Sequence, residues 1–311
     1  MCDRVETMSP HQSIRGALSA VIGRVPASGE VQLLLASILA GSGWLFSVNA
    51  LNGLPPLSFI GSRFMLAGLM IYLVMGLPSL RALRSVWKNL LLSSVAMAAA
   101  MTLWIVGLKH TSHIGVAAFI TATGNLMVPL AGVAMFRWRL ARRSLISLAV
   151  SGCGLALLFL NADASFAAPD VLFLISAVLW AVSLVLVREK TRGVSAAATS
   201  AVQLFCTGGI VSIGAAFLED LPTAIPTAST LGWFLASVVL STCLRFVLQF
   251  QGQSRTVPAK AGMMMIFEPV WAMVFAFLFV GTPLSPVQAV GCAIIFAAVA
   301  REALAKSAPG G

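Results

Sequence analysis

Charge is what this sequence has least of. Of its 311 residues only 10% are charged and 59% are hydrophobic, against about 25% and about 45–50% in soluble domains. That balance excludes a water-soluble enzyme or binding domain and points to a polytopic membrane protein. Histidine is almost absent, at three residues; His110 and His113 form an HxxH without a third ligand, which reads as surface and not as a zinc site. The five cysteines form no CxxC pair, and Cys153, Cys206, Cys243 and Cys292 fall inside apolar segments as small fillers. No metal and no cofactor is expected. The Walker A pattern is missing, so direct ATP use is not expected. The opening stretch to about Glu30 lacks a sustained apolar h-region, so the first span is expected to do the targeting. With one tyrosine in the chain, the interfacial belts fall to tryptophan.

What the chain does have is ten apolar segments, each long enough to cross a bilayer core. They run from about Val31 to Leu51, Leu57 to Leu77, Trp87 to Leu108, Ile114 to Phe136, Ser144 to Leu160, Pro169 to Val187, Ala196 to Phe217, Thr230 to Phe250, Pro258 to Val280 and Leu284 to Ala300. The net charge of +10 does not imply a nucleic-acid partner, because basic tracts interleaved with exposed aromatics are missing. It follows from loop bias instead. If the N-terminus is inside, the cytoplasmic loops hold Arg81, Arg84 and Lys88; Arg137, Arg139, Arg142 and Arg143; Arg188, Lys190 and Arg192; and Arg255 and Lys260. The opposite side carries Lys109 with Asp163, Asp170, Glu219 and Asp220. Retention of positive loops in the cytoplasm then places both termini inside.

Sliding the chain on itself by 140 positions aligns Gly68 with Gly208, Thr102 with Thr242, Leu108 with Leu248 and Pro129 with Pro269. Five spans per repeat is an odd number, so the second repeat enters with the opposite sense. The expected fold is an all-α membrane protein of ten transmembrane helices in two inverted five-helix repeats, both termini cytoplasmic. Its parts are a cytoplasmic N-terminal segment at 1–30, a first repeat at 31–160, a periplasmic linker at 161–170, a second repeat at 171–303 and a cytoplasmic tail at 304–311. Such repeats commonly bind a small molecule at mid-membrane between the halves and alternate its access.

Within the ninth segment, Glu268 lies about ten residues from either end, at a depth where a carboxylate needs a partner, water or a solute. Pro269 follows it and Pro129 is its counterpart; each removes a helical N–H and leaves the carbonyl four residues earlier without its partner. The chain thus reads as carrying two copies of one helix-breaking element. Arg245 and Lys260 are the candidate partners of Glu268, and a proton-exchanging role and a structural ion pair both stay open. Trp87, Trp138 and Trp233 lie near span ends and read as belt residues, whereas Trp44, Trp104, Trp180 and Trp271 lie deeper and are candidate walls of a cavity. Asn125 and Thr102 can hydrogen-bond a zwitterion, Arg245 can meet a carboxylate, and Met264 is a candidate deformable wall. The bland readings are helix packing for the tryptophans, snorkelling for Arg245 and Arg63, and a bond to its own helix for Thr102.

Gly41-Ser42-Gly43, Leu54-Pro55-Pro56 followed by Arg63-Phe64, Pro129, Glu268-Pro269, Gly281 and Gly291, taken as an ordered set, resemble the drug/metabolite transporter superfamily in its ten-helix EamA-type branch, and within it the YddG-type aromatic amino acid exporters. The family pattern often has an acidic residue with glycine after the fourth span, where this chain has Phe136-Arg137-Trp138-Arg139. The resemblance implies a bacterial inner-membrane exporter with a central cavity built by both halves, spans five and ten peripheral, and a structural role for Arg63 at the carbonyls around Pro55-Pro56. The expected function is transport, without enzymatic turnover, of small amphipathic metabolites, foremost aromatic and large apolar amino acids. The cavity is expected between spans one, three, four, six, eight and nine, with proton coupling through Glu268 left open. A drug or nucleotide-sugar carrier of the same fold, and a membrane-embedded enzyme, are the alternatives.

Overall fold

The computed structural model describes residues 28–75, 80–110, 114–159, 168–191, 193–220, 226–281 and 285–304. Most of the N-terminal segment 1–30, the linker 161–170 and the tail 304–311, together with His113, lies outside the described residues. The described backbone is helical where the apolar segments stand. The first repeat contributes α1 (Gly29–Leu51), α2 (Pro56–Met75), α3 (Leu80–His110), α4 (Ile114–Phe136) and α5 (Arg142–Phe159). The second contributes α6 (Ala168–Lys190), α7 (Ala196–Leu218), α8 (Ala228–Val238), a π-helical turn (Val239–Leu244), α9 (Arg245–Arg255), α10 (Pro258–Met265), α11 (Phe267–Val280) and α12 (Pro286–Leu304). Among the described residues, seven helical stretches are long and apolar enough to cross a membrane, and Ile120–Phe136 and Pro286–Arg301 are apolar but shorter.

Helix ends follow from local chemistry. Ser28, Ser195 and Thr227 accept bonds from the N–H groups of Val31, Ala198 and Thr230, and so cap α1, α7 and α8. α2 starts with Pro56, and its next N–H groups are capped from the other repeat: Glu219 accepts from Leu57 N at 2.7 Å and Ser58 N at 2.8 Å. Gly281 adopts φ +74° and stops α11, as glycine at a left-handed C-terminal position does. At the end of α4 that conformation falls on Arg137, φ +54°, and Trp138 N bonds back to Gly132 O at 3.2 Å.

The packing repeats when the halves are exchanged. α3 and α4 both lie on α6, as α8–α9 and α10–α11 both lie on α1. Each repeat thus gives its first helix to the other repeat's bundle. Between the bundles α2 packs on α7, and at the periphery α5 packs on α12. In the α2–α7 pair, a Cβ on Gly68 would stand 2.6 Å from Phe205 N and 2.7 Å from Ala201 O. One on Gly208 would be as close to the equivalent atoms, Met65 N and Gly61 O. Every residue in one contact is 140 positions from its equivalent in the other, and Gly61 faces Ser212 while Gly68 faces Ala201. The counterpart helices therefore run antiparallel, which gives the two repeats opposite senses. Small residues make so close a crossing possible where lipid supplies no hydrophobic drive between helices.

Two counterpart side chains tie this pair to the bundles. Gln203 on α7 donates to Ser93 Oγ at 2.7 Å and Ser183 Oγ at 3.0 Å, on α3 and α6. Its equivalent on α2, Arg63, donates to Ser47 Oγ on α1 at 2.8 Å, and to Thr242 Oγ1 at 2.5 Å and Ser241 Oγ at 2.9 Å in the π-turn. Arg63 thus bonds hydroxyls deep in the fold, not the carbonyls around Pro55-Pro56. A charged fork reaches several oxygens at once, and the π-turn presents two of them side by side.

The two helix breaks differ from each other. α4 runs through Pro129 without interruption, whereas the ninth segment stops at Met265 and restarts at Phe267, with Ile266 N bonded to Met263 O at 3.1 Å. Asn125 Nδ2 donates to Met265 O at 3.3 Å, the carbonyl left without a helical partner by Pro269. Only the second proline breaks its helix.

Candidate functional site

A cavity of about 430 Å³ lies between the bundles, a size typical of sites for small molecules. On α1 its wall is Ala40, Gly43, Trp44 and Ser47; on α2, Ile60, Arg63 and Phe64; on α11, Glu268, Pro269, Ala272, Met273 and Ala276. α3 adds Met101 and Trp104, α4 adds Thr121, Ala122 and Asn125, and α6 adds Ser176, Ala177 and Trp180. Ser241 of the π-turn and Arg245 and Phe246 of α9 complete it. These positions are mid-depth or nearer the end that carries Glu219 and Asp220. Neither α5 nor α12 contributes. α2, outside the expected lining, does contribute: Arg63 reaches inward to bond Ser47 of α1 and Ser241 and Thr242 of the π-turn.

Charge and aromatic rings converge at mid-depth. Arg245 Nη2 stands 3.6 Å from Glu268 Oε2, the side chains 9% and 23% exposed. Glu268 thus faces the cavity and is not sealed in dry packing. The guanidinium of Arg245 lies 4.5 Å from the Phe246 ring centre and 5.3 Å from that of Trp180, a cation–π arrangement. Trp44 and Trp104 meet edge to face at 5.3 Å. Lys260, the other candidate partner of Glu268, is at the opposite end of α10 and pairs with Glu30 at 2.7 Å.

Several expected site residues stand elsewhere. Thr102 is off the cavity wall, one position from Met101 and so about 100° around the helix. Met264 is buried in the core cluster that also holds Leu33, Leu248 and Ile295. Trp271 presses its Cβ toward Gly41 of α1, where a Cβ on the glycine would be 2.6 Å away, so it serves the α1–α11 contact and not the cavity. Asn125 reaches the wall but directs its amide at Met265 O. Pro129 lies against Gly262. Trp138 is partly buried at the end of α4: its indole donates to Glu189 Oε1 at 3.2 Å and its ring covers Gly132. Ser47, Thr121, Ser241 and Phe246 were not singled out in the sequence; small hydroxyls inside apolar segments are the weak signal that marks them.

At the end rich in Arg and Lys the two bundles are bonded to each other. There Arg188 of α6 donates to the carbonyls of Gln253 and, at 2.8 Å, Thr256, which caps the C-terminal end of α9 with a cation from the other bundle. Gln32 Nε2 donates to Gln251 Oε1 at 3.3 Å. A second cavity of about 500 Å³ sits here, lined by Arg188, Thr199, Phe250 and Gln253 among others. Phe250 on its wall meets Phe246 on the wall of the first at 5.9 Å and 88°. An aromatic pair one helical turn apart thus separates the two cavities.

Apolar helices in two inverted repeats around a partly charged cavity define a multi-pass membrane protein with a cavity of small-molecule size between its halves. The chain belongs to the EamA-like transporter family, which matches residues 27–160 and 168–301. It is similar to the uncharacterized transporter YoaV of Bacillus subtilis (strain 168), 22% identical over 254 residues, 79% of this chain and 86% of YoaV. Protein PecM of Dickeya dadantii (strain 3937) is 26% identical over 189 residues, 60% of this chain and 63% of PecM. A solved crystal structure shares the fold at a TM-score of 0.76 and 18% identity, over 90% of this chain and 98% of the other.

Proposed function

We propose that the protein exports small amphipathic metabolites across a bacterial plasma membrane, foremost amino acids with aromatic or large apolar side chains. The observation that carries this reading is the Arg245–Glu268 pair set among Trp44, Trp104, Trp180 and Phe246. A zwitterion places its carboxylate on Arg245 and its amino group on Glu268, while its side chain stacks on the rings. In this reading ten spans cross the bilayer with both termini in the cytoplasm, and the basic end closed by Arg188 faces the cytoplasm. The cavity then opens outward, and rocking of the two bundles exposes it alternately to each side. Resemblance to YddG-type exporters supports both the direction and the substrate class. A nucleotide-sugar or drug carrier fits less well, because the wall is mainly apolar and its charged groups are two arginines and one glutamate.

Purified protein in liposomes, offered labelled phenylalanine, leucine and glutamate, tests the reading. Saturable counterflow of phenylalanine and leucine exceeding that of glutamate is expected. Equal inactivity of all three rejects the amino-acid assignment, and chemical turnover of the solute rejects transport as the activity.

A further inference from the structure

The charges and hydrogen-bond donors of the central cavity do not balance for a zwitterion. Two guanidiniums line it, Arg63 and Arg245, and among the described residues Glu268 is the one carboxylate on its wall. Arg63 makes its bonds to neutral oxygens of Ser47, Ser241 and Thr242. Glu268 faces Arg245 at 3.6 Å. One positive charge is thus left without a carboxylate in a site whose other groups are largely apolar. The buried polar atoms of the wall that lack a partner repeat this bias: Arg245 Nε and Trp104 Nε1 can only donate, and Thr121 Oγ1 can do so. Arg245 itself is 7% exposed. Donors in excess, with a positive charge in excess, call for a ligand rich in acceptors and carrying one negative charge.

We infer that this cavity takes monocarboxylate anions with a large apolar or aromatic body, such as arylalkanoates and 2-oxo acids, in preference to zwitterionic amino acids, and rejects the corresponding amines. The inference rests on the reading of the cavity as a transport site for such apolar bodies, and it ranks their monoanions ahead of the amino acids proposed above. A monoanion sets its carboxylate against the Arg245 guanidinium, leaves Glu268 paired, and brings the wall to neutrality. A zwitterion must part Arg245 from Glu268 and still leaves Arg63 uncompensated. A bare amine adds a second positive charge in excess.

The test is competition against labelled phenylalanine counterflow in liposomes buffered with gluconate, together with thermal stabilisation of the purified protein. Three compounds of one shape are compared: 3-phenylpropionate, phenylalanine and phenethylamine. 3-Phenylpropionate is expected to act at a concentration about tenfold below phenylalanine, and phenethylamine not to act. Arg63→Gln removes the excess charge and is expected to narrow that ratio to near one, Arg63→Lys to keep it, and Glu268→Gln, which removes the negative charge of the wall, to widen it. The opposite shifts of the Arg63→Gln and Glu268→Gln variants distinguish charge balance from a merely structural role, and the second variant retains the Arg63 bonds should the first fail to fold. Phenethylamine competing as well as 3-phenylpropionate, a ratio that neither variant moves, or a preference erased when chloride replaces gluconate overturns the inference. Counterflow of phenylalanine without competition by 3-phenylpropionate sinks the inference alone. Labelled 3-phenylpropionate that moves while phenylalanine does not sinks the amino-acid assignment alone.

Discussion

The side chain of Asn125 donates at 3.3 Å to the carbonyl of Met265, a residue 140 positions further along and its own counterpart in the second repeat. Pro269 has no N–H to offer that carbonyl, so a side chain from one repeat completes the broken helix of the other. Glu268 stands at the opened turn, where its carboxylate reaches the cavity.

The Asn125 bond and the Pro269 break should be energetically coupled. Asn125→Leu leaves the Met265 carbonyl buried and unpartnered, a cost of about 1–3 kcal/mol. Pro269→Ala restores an N–H four residues on, so in that background the Asn125→Leu cost should fall by about 1 kcal/mol. Denaturation of the single and double variants in detergent measures the coupling, and strictly additive costs would refute it.

At the α2–α7 crossing, Gly208→Ala puts a methyl against the backbone of Met65 and Gly61, and overpacking of this kind costs about 1–3 kcal/mol. Its neighbour Gly209 has nothing within 4 Å of an added Cβ. Gly209→Ala should therefore leave the thermal midpoint unchanged or slightly raised, while Gly208→Ala lowers it. Equal effects of the two would contradict the antiparallel register.

Arg188 joins the two bundles at the basic end through the carbonyls of Gln253 and Thr256. Bonds to a charged donor contribute about 1.5–3 kcal/mol, so Arg188→Gln should open that end more often. In a variant without native cysteines, a cysteine placed by Thr199→Cys in the second cavity should then react roughly fivefold faster or more with a water-soluble thiol reagent. Unchanged reactivity would show that Arg188 does not hold the closure.

Glu268→Gln keeps the shape of the side chain and removes its charge and its proton exchange. If this carboxylate carries the proton, the variant should lose the effect of a pH gradient on phenylalanine flux, while counterflow at equal pH falls by about tenfold at most. A pH response equal to that of the unsubstituted protein would exclude Glu268 as the coupling site.

Much of this architecture is legible in the order of residues. Long uncharged runs can be satisfied in lipid only as helices. Gly68/Gly208 and Pro129/Pro269 recur at one spacing, so the repeat is visible without coordinates. Glu268 announces itself because a carboxylate in an apolar run requires an explanation. Trp44, Trp104 and Trp180 could be shortlisted from depth, and Arg245 as a candidate partner of Glu268. Depth along a helix does not determine which way a side chain points, and for that reason Trp271, Met264 and Thr102 looked equivalent to them. The direction depends on what packs behind each helix: Gly41 receives Trp271, and the α10 core takes in Met264.

The amino-acid sequence by itself determined that the chain is a bundle of apolar helices in two repeats, one with a buried acid at its break. Composition and spacing are enough for that, since lipid accepts little else. Tertiary structure alone decided that Arg245 and not Lys260 faces Glu268, that Arg63 turns inward onto the π-turn, and that one proline bends its helix while its counterpart does not. The last two depend on partners in the other repeat, well over a hundred positions away; the first depends on Glu30 of the first repeat, which takes Lys260, and on the π-turn that precedes Arg245.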